Sequence, residues 1–185
     1  QAIKENVSYI ETMISSVDYS YQDNSIDENI KKATTSEAVA SVLDDLSSKI
    51  DADGAFTKKI DEFIKKIEDA HKGIDDDQFM MRYQTYASRN GTPSSVFSAL
   101  YAAFSAVKKR NLLVGINFVG PENGIVAIGD YTLHMQMIAY LRNKFPGVNI
   151  ALHAGELNLG MVPPKDLKFH ISQAIHIAGA QRIGH

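Results

Sequence analysis

Apolar residues along the chain follow two alternating rhythms. Short runs rich in Val, Ile, Leu, Phe and Tyr, at 7–14, 79–86, 112–119, 148–153 and 182–185, read as β-strands. Between them, apolar residues recur every three or four positions, the period of an amphipathic helix. Val96, Leu100, Phe104 and Val107 share one such face, behind a Thr92-Pro93 pair that offers a cap and a first-turn proline. Leu133, Met137, Ile138, Leu141 and Phe145 share another, with Asp130 as the expected cap and Pro146-Gly147 as the stop. A third helix is expected over 164–178. Strands alternating with helices of this length predict a parallel sheet with crossover helices.

Residues 23–77 break the rhythm. Charge is dense there and strand signals are absent. Val39, Val42, Leu43 and Leu46, then Ile60, Phe63, Ile64 and Ile67, stand at helical spacing, so two helices are expected, joined at Asp51-Ala52-Asp53-Gly54. That turn lacks the third carboxylate before the glycine and the closing glutamate of a calcium loop, and reads as a helix boundary. Asp75-Asp76-Asp77 reads as a solvated cap with no chemistry assigned. The expectation is one α/β domain over residues 1–185, with the helical pair an elaborated crossover inside it.

Composition narrows the chemistry. The 185 residues are 44% hydrophobic and 22% charged, with a formal net charge of -3, which allows a sizeable core. Basic residues are not gathered on one segment, so neither nucleic acid nor an anionic membrane surface is an implied partner, and a small-molecule substrate is expected instead. No apolar run is long enough to span a bilayer. The chain has no cysteine, which removes disulfides, thiolate zinc sites and cysteine nucleophiles and leaves His, Asp and Glu for metal or acid-base work. Both ends read as cut, so the compartment stays open.

Parallel α/β folds collect functional groups at the C-terminal ends of strands. Three strand ends carry such groups: His153-Ala154-Gly155-Glu156, Gly120-Pro121-Glu122, and Arg182-Ile183-Gly184-His185. A neutral imidazole at His153 suits a zinc ion, and Glu156, past a small Ala-Gly turn, can reach the same cavity as a proton donor. Gly155 is expected to keep that cavity clear of a side chain. For either His153 or His185 the alternative is a core histidine bonded to a carbonyl. His71 is expected to be exposed. His134, His170 and His176 fall on helices, and all four stay outside the expected site.

His153-Ala154-Gly155-Glu156, followed one strand later by Arg182-Ile183-Gly184-His185, resembles the adenosine and AMP deaminase family of metal-dependent amidohydrolases. The segment from Val114 to Glu122 is similar to that family's fourth strand. The likeness covers the stretch from about residue 112 to the end, and more loosely 7–16 and 79–86 as strands two and three. It implies a portion of a (β/α)8 TIM-type barrel, strands two to six, with zinc held by two histidines on strand one, His153 on strand five and an aspartate on strand eight. Glu156 would be the acid that protonates N1 of the purine. His185 would orient and help deprotonate the zinc-bound water, and Gly120 would let the backbone approach the ring. Adenosine would become inosine and ammonia.

Asn117 stands where the family commonly has aspartate, which removes a charge from the cavity. The strand-one and strand-eight ligands are absent from the sequence, so further polypeptide of the same protein is expected to complete the barrel and the single Zn2+ site, and the chain alone is expected to be inactive. Deamination of adenine, AMP or a modified nucleoside stays open. So does a non-catalytic domain that keeps the barrel strands for binding.

Overall fold

The computed structural model of the chain describes residues 2–109 and 112–184. Among these described residues, five parallel strands lie side by side in chain order: β1 (Tyr9–Met13), β2 (Met80–Ser88), β3 (Leu113–Val119), β4 (Ala151–His153) and β5 (Arg182–Gly184). One ladder holds β1, β2 and β3, another holds β4 and β5, and a bridge between Ile116 and Ile150 joins them. The Ile116 N–H donates to the Asn149 carbonyl at 3.0 Å, and the Asn149 side chain donates to the Val114 carbonyl at 2.9 Å. The sheet is open, with β1 and β5 as its edges among the described residues.

Among the described residues, seven α-helices connect and cover the strands. They are α1 (Asn24–Lys32), α2 (Ser36–Ala52), α3 (Gly54–His71), α4 (Pro93–Lys108), α5 (Ile125–Gly129), α6 (Tyr131–Lys144) and α7 (His170–His176). Side-chain alternation along the strands divides the sheet into two faces. Tyr83, Ala87, Ile116 and Phe118 join an apolar core with Leu46 and Ile50 of α2, Ile60 and Ile67 of α3, Phe97 and Phe104 of α4, and Ile138 and Leu141 of α6. Gln84 and Asn117, at the intervening positions, meet on the opposite face.

The sheet curls strongly about that opposite face. Across a flat sheet β1 and β5 would stand four strand spacings apart, about 19 Å, more than a glutamate and an arginine side chain span together. Yet Glu11 of β1 accepts a hydrogen bond from Arg182 of β5. The polar face is therefore concave, and the helices lie on its convex side.

Several local expectations are corrected. The region 23–77 holds three helices, not two. Asp23 caps α1 by accepting from the Ser25 and Ile26 N–H groups, and only Ile26 and Ile30 of that helix are buried apolar residues, too few to show a period. The junction at 51–54 is a helix boundary: Asp53 closes α2 and caps α3 through the Ala55 N–H. The expected helix over 164–178 is a 3-10 turn (Pro164–Leu167) followed by α7. Asp130 makes no side-chain cap bond, because the short α5 leads straight into α6. The fourth strand starts at Ala151 rather than 148, and the Ile150 N–H goes to the Gln181 side chain at 2.7 Å instead of to a ladder. His71 is buried, not exposed. Its Nδ1 lies 3.1 Å from the Tyr83 hydroxyl and its Nε2 3.2 Å from Asp75. Asp75 also accepts from the Met81 N–H and from Arg82, so the acidic run anchors α3 to β2 and is not merely a solvated cap.

Candidate functional site at the strand ends

Gly120 and the segment 153–156 come from two separate strand ends, and Gly120, His153 and Glu156 line one cleft of about 280 Å³, together with Met13, Val119 and Pro121. His153 is the last residue of β4, Gly120 follows β3, and Glu156 lies on the loop leaving β4. A neighbouring hollow of about 320 Å³ shares Met13 and runs along the concave face past Asn117, Gln84 and Glu11 to Arg182. Together the two hollows reach the size of an ordinary small-ligand site. His185, the remaining expected site residue, lies outside the described residues.

Each predicted residue is held by specific neighbours. His153 Nδ1 stands 2.9 Å from Asn117 Oδ1, and Gly184 of β5 pairs with His153 and lies against its ring. Gly120 takes φ +105°, and a Cβ there would stand 2.8 Å from the Asn90 side chain, so both backbone and packing call for glycine. Gly155 takes φ +89° for the same reason of backbone, but the space its Cβ would enter belongs to Ile171 of α7, at 2.7 Å. Gly155 thus serves the turn and its packing on α7. It does not keep the cleft clear, as its place in the motif had implied.

Beneath the cleft lies a buried ionic cluster. Glu122 is fully buried and accepts from the Gly155 N–H at 3.1 Å, the Glu156 N–H at 2.6 Å and His170 Nδ1 at 2.6 Å. It therefore holds the backbone of the loop that carries Glu156. Arg89, also buried, donates through one terminal nitrogen to the Phe118 and His153 carbonyls, each at 2.8 Å, and brings the other to 4.0 Å from Glu122. Its guanidinium sits 5.1 Å from the centre of the Phe118 ring. Burial works to raise the Glu122 pKa, but His170, the two loop N–H groups and the Arg89 charge outweigh it and hold the carboxyl below its ordinary value. Burial lowers the Arg89 pKa, partly opposed by Glu122, Tyr131 and Glu156. His170 stacks on Tyr131, ring centres 3.7 Å apart, and the Tyr131 hydroxyl donates to the His170 carbonyl at 3.0 Å.

No family model matches the sequence, and no curated protein matches it significantly. The geometry therefore carries the functional reading.

Sequence reasoning missed Arg89 and His170. Arg89 directly follows β2, so the rule that selects strand ends reaches it, and a charged residue closing an apolar strand was the available signal. His170 sits at the start of α7, where nothing in the linear pattern shows that the helix folds back under the β4 loop. Glu122 was noted as a carboxylate at a strand end, but its side chain turns inward and lies below the cleft.

One hydrogen-bond chain crosses the whole concave face and contributes one residue from each strand. Arg182 donates to Glu11, the Gln84 amide donates to Glu11, the Asn117 amide donates to Gln84 at 3.0 Å, and Asn117 Oδ1 faces His153. Asn117 Oδ1 also accepts from the Phe118 N–H at 2.8 Å. With that oxygen as acceptor, His153 carries its proton on Nδ1 and has its lone pair on Nε2. A histidine that ligates through one nitrogen and donates from the other is the usual arrangement at a zinc ion. His153 thus fits zinc as one ligand. Among the described residues no group of three or more His, Asp or Glu is placed to hold a metal, and no helix is long and apolar enough to cross a membrane.

Proposed function

We propose that this chain is part of a zinc-dependent hydrolase that removes the 6-amino group of a purine nucleoside, adenosine in the first instance. The observation that carries the reading is the meeting of His153, Glu156 and Gly120 in one cleft at the C-terminal ends of parallel strands. The curl of the sheet, drawn together by Glu11 and Arg182, supports its being five of the eight strands of a closed barrel. Further polypeptide of the same protein would supply the remaining strands, the other zinc ligands and cover for the β1 and β5 edges.

In this reading His153 contributes one ligand through Nε2, oriented by Asn117. Zinc, when bound, supplies the activation of water at neutral pH. Glu156 faces the purine edge and gives a proton to N1 as negative charge builds there, and Glu122 keeps its loop in place from below. Gly120 brings backbone rather than a side chain against the flat ring. His185 orients and helps deprotonate the attacking water, the role its place in the motif implies. The oxygen of that water bonds to C6, its protons pass to N1 and to the leaving amine, and the C6–amine bond breaks, so that adenosine and water give inosine and ammonia.

The test uses the full parent protein loaded with zinc, with adenosine as substrate and ammonia release as the signal. Glu156→Gln should lower kcat/KM by on the order of 10²–10⁴, the usual contribution of a general acid. If the parent deaminates adenine or AMP but not adenosine, the substrate narrows while the chemistry stands. Deamination of none of these aminopurines sinks the proposal.

A further inference from the structure

We infer that the Glu11 carboxylate acts through Gln84 and Asn117 as a positioning residue, locking His153 in the tautomer whose proton is on Nδ1 and whose Nε2 presents a lone pair. An amide can turn either end toward a neighbour, and a neutral imidazole can carry its proton on either nitrogen. Left alone, Gln84, Asn117 and His153 would have several arrangements. A carboxylate has one polarity, since it only accepts. Glu11 therefore draws the Gln84 amide nitrogen toward itself, which turns Gln84 Oε1 to Asn117. Asn117 must then offer Nδ2 to Gln84 and Oδ1 to His153, and His153 must donate from Nδ1.

The polarity has a source at its far end. Burial works against the Glu11 charge, but the bonds from Gln84 and Arg182, with the positive charge of Arg182, hold the carboxyl below its ordinary pKa. Glu11 is therefore an anion at neutral pH. Gln84 and Asn117 are buried, so water competes little for the two amides between Glu11 and the imidazole. The arrangement also accounts for an amide at position 117. Only a group that donates on one side and accepts on the other can pass this polarity along, and a carboxylate there would end the chain.

The inference deepens the proposed function, because it rests on His153 using Nε2 toward the cleft, but its test needs neither zinc nor a purine. Long-range proton–nitrogen NMR correlations of the metal-free parent protein at about pH 8, above the ordinary histidine range, show which ring nitrogen carries the proton. Comparison with His153→Gln assigns the signal. The expected wild-type spectrum shows the Nδ1–H tautomer as the major form. Exchanging the charges, Glu11→Lys with Arg182→Glu, keeps the pair but reverses the polarity at the start of the chain. The ratio of Nδ1–H to Nε2–H should then fall at least tenfold. Gln84→Met, which interrupts the chain with a side chain of similar size, should lower the ratio as well and serves as the second variant if the exchanged pair misfolds. A wild-type spectrum with the proton on Nε2 overturns the inference. So does an unchanged ratio in folded variants, which would mean that the Phe118 N–H alone orients Asn117. Failure of the deaminase assay with the expected tautomers would sink the activity and leave the relay standing.

Discussion

Two polar clusters hold the strand-end cleft, and they differ in how they meet solvent. Arg89 and Glu122 lie below it with side chains 1% and 0% exposed, bonded to the His153 carbonyl at the end of β4 and to the Glu156 N–H on the loop that follows. The chain from Glu11 to His153 runs beside the cleft and opens to water at Arg182, whose side chain is 57% exposed. A charge inside the first cluster has no recourse to water if a partner is lost, whereas the second can rearrange or hydrate at its open end. The buried cluster therefore secures the geometry of the cleft, and the chain from Glu11 to His153, buried at Gln84 and Asn117 and open to solvent at its Arg182 end, orients donors and acceptors with less influence on stability.

The largest expected effect is at Glu122. Both of its oxygens accept, so Glu122→Gln puts an N–H donor against an N–H donor and leaves Arg89 without its counter-charge. A loss of about 3–5 kcal/mol, read from urea unfolding, is expected for breaking a buried ionic arrangement of this kind. A loss as small as that of an exposed pair would erase the distinction between the two clusters.

His134 extends the contrast to a buried polar group with no hydrogen-bond partner among the described residues at either ring nitrogen. Burial, assisted by the Arg89 charge, pushes its pKa down to about 4. Between that value and about 6.5, the ordinary value for an unfolded chain, the unfolded state holds more protons, so stability is complete above pH 6.5 and falls as pH drops toward 4. About 3 kcal/mol should be lost across that window, at no more than about 1.4 kcal/mol per pH unit. His134→Leu should flatten this part of the stability profile measured by chemical denaturation.

Gly155→Ala should cost about 1–3 kcal/mol, since it forces a side chain into left-handed backbone and against Ile171. Adding Ile171→Ala should restore the packing part of the loss and leave the backbone part, which separates the two causes in thermal melts. At Glu11 the effect should be smaller still. Glu11→Gln is expected to change stability by less than about 1 kcal/mol, because its pair with Arg182 opens to solvent. Asp69→Asn, at an exposed α3 pair with Lys65 and Lys72, should leave the unfolding midpoint unmoved and sets the floor for the series.

The strands were legible because β-prone apolar residues recur where they form: Ile10 in β1, Tyr83 in β2, Leu113, Ile116 and Phe118 in β3, Leu152 in β4 and Ile183 in β5. The helices α4 and α6 were legible from one-sided apolar spacing. α1 was not, since only Ile26 and Ile30 of that helix enter the core, too few to show a period, and its remaining buried residue is polar: Asp27 accepts the Ser94 N–H at 2.7 Å. At the site, His153, Glu156 and Gly120 were legible from their place after strands. Gln84 and Glu11 were not, because each meets side chains of other strands, and Arg89, though it follows β2, reaches the Phe118 and His153 carbonyls only in the folded sheet.

The sequence by itself determined the alternation of strand and helix, the absence of thiol chemistry and the short motifs that bring an imidazole, a carboxylate and a glycine to strand ends. These are local properties, carried by period, residue type and turn chemistry. Only the tertiary structure decided that the sheet curls until Glu11 meets Arg182, that Glu122 turns beneath the cleft and that His71 and His170 are buried. Each of these depends on residues distant in sequence becoming neighbours, and hydrogen-bond direction passes between such neighbours only once the fold has placed them side by side.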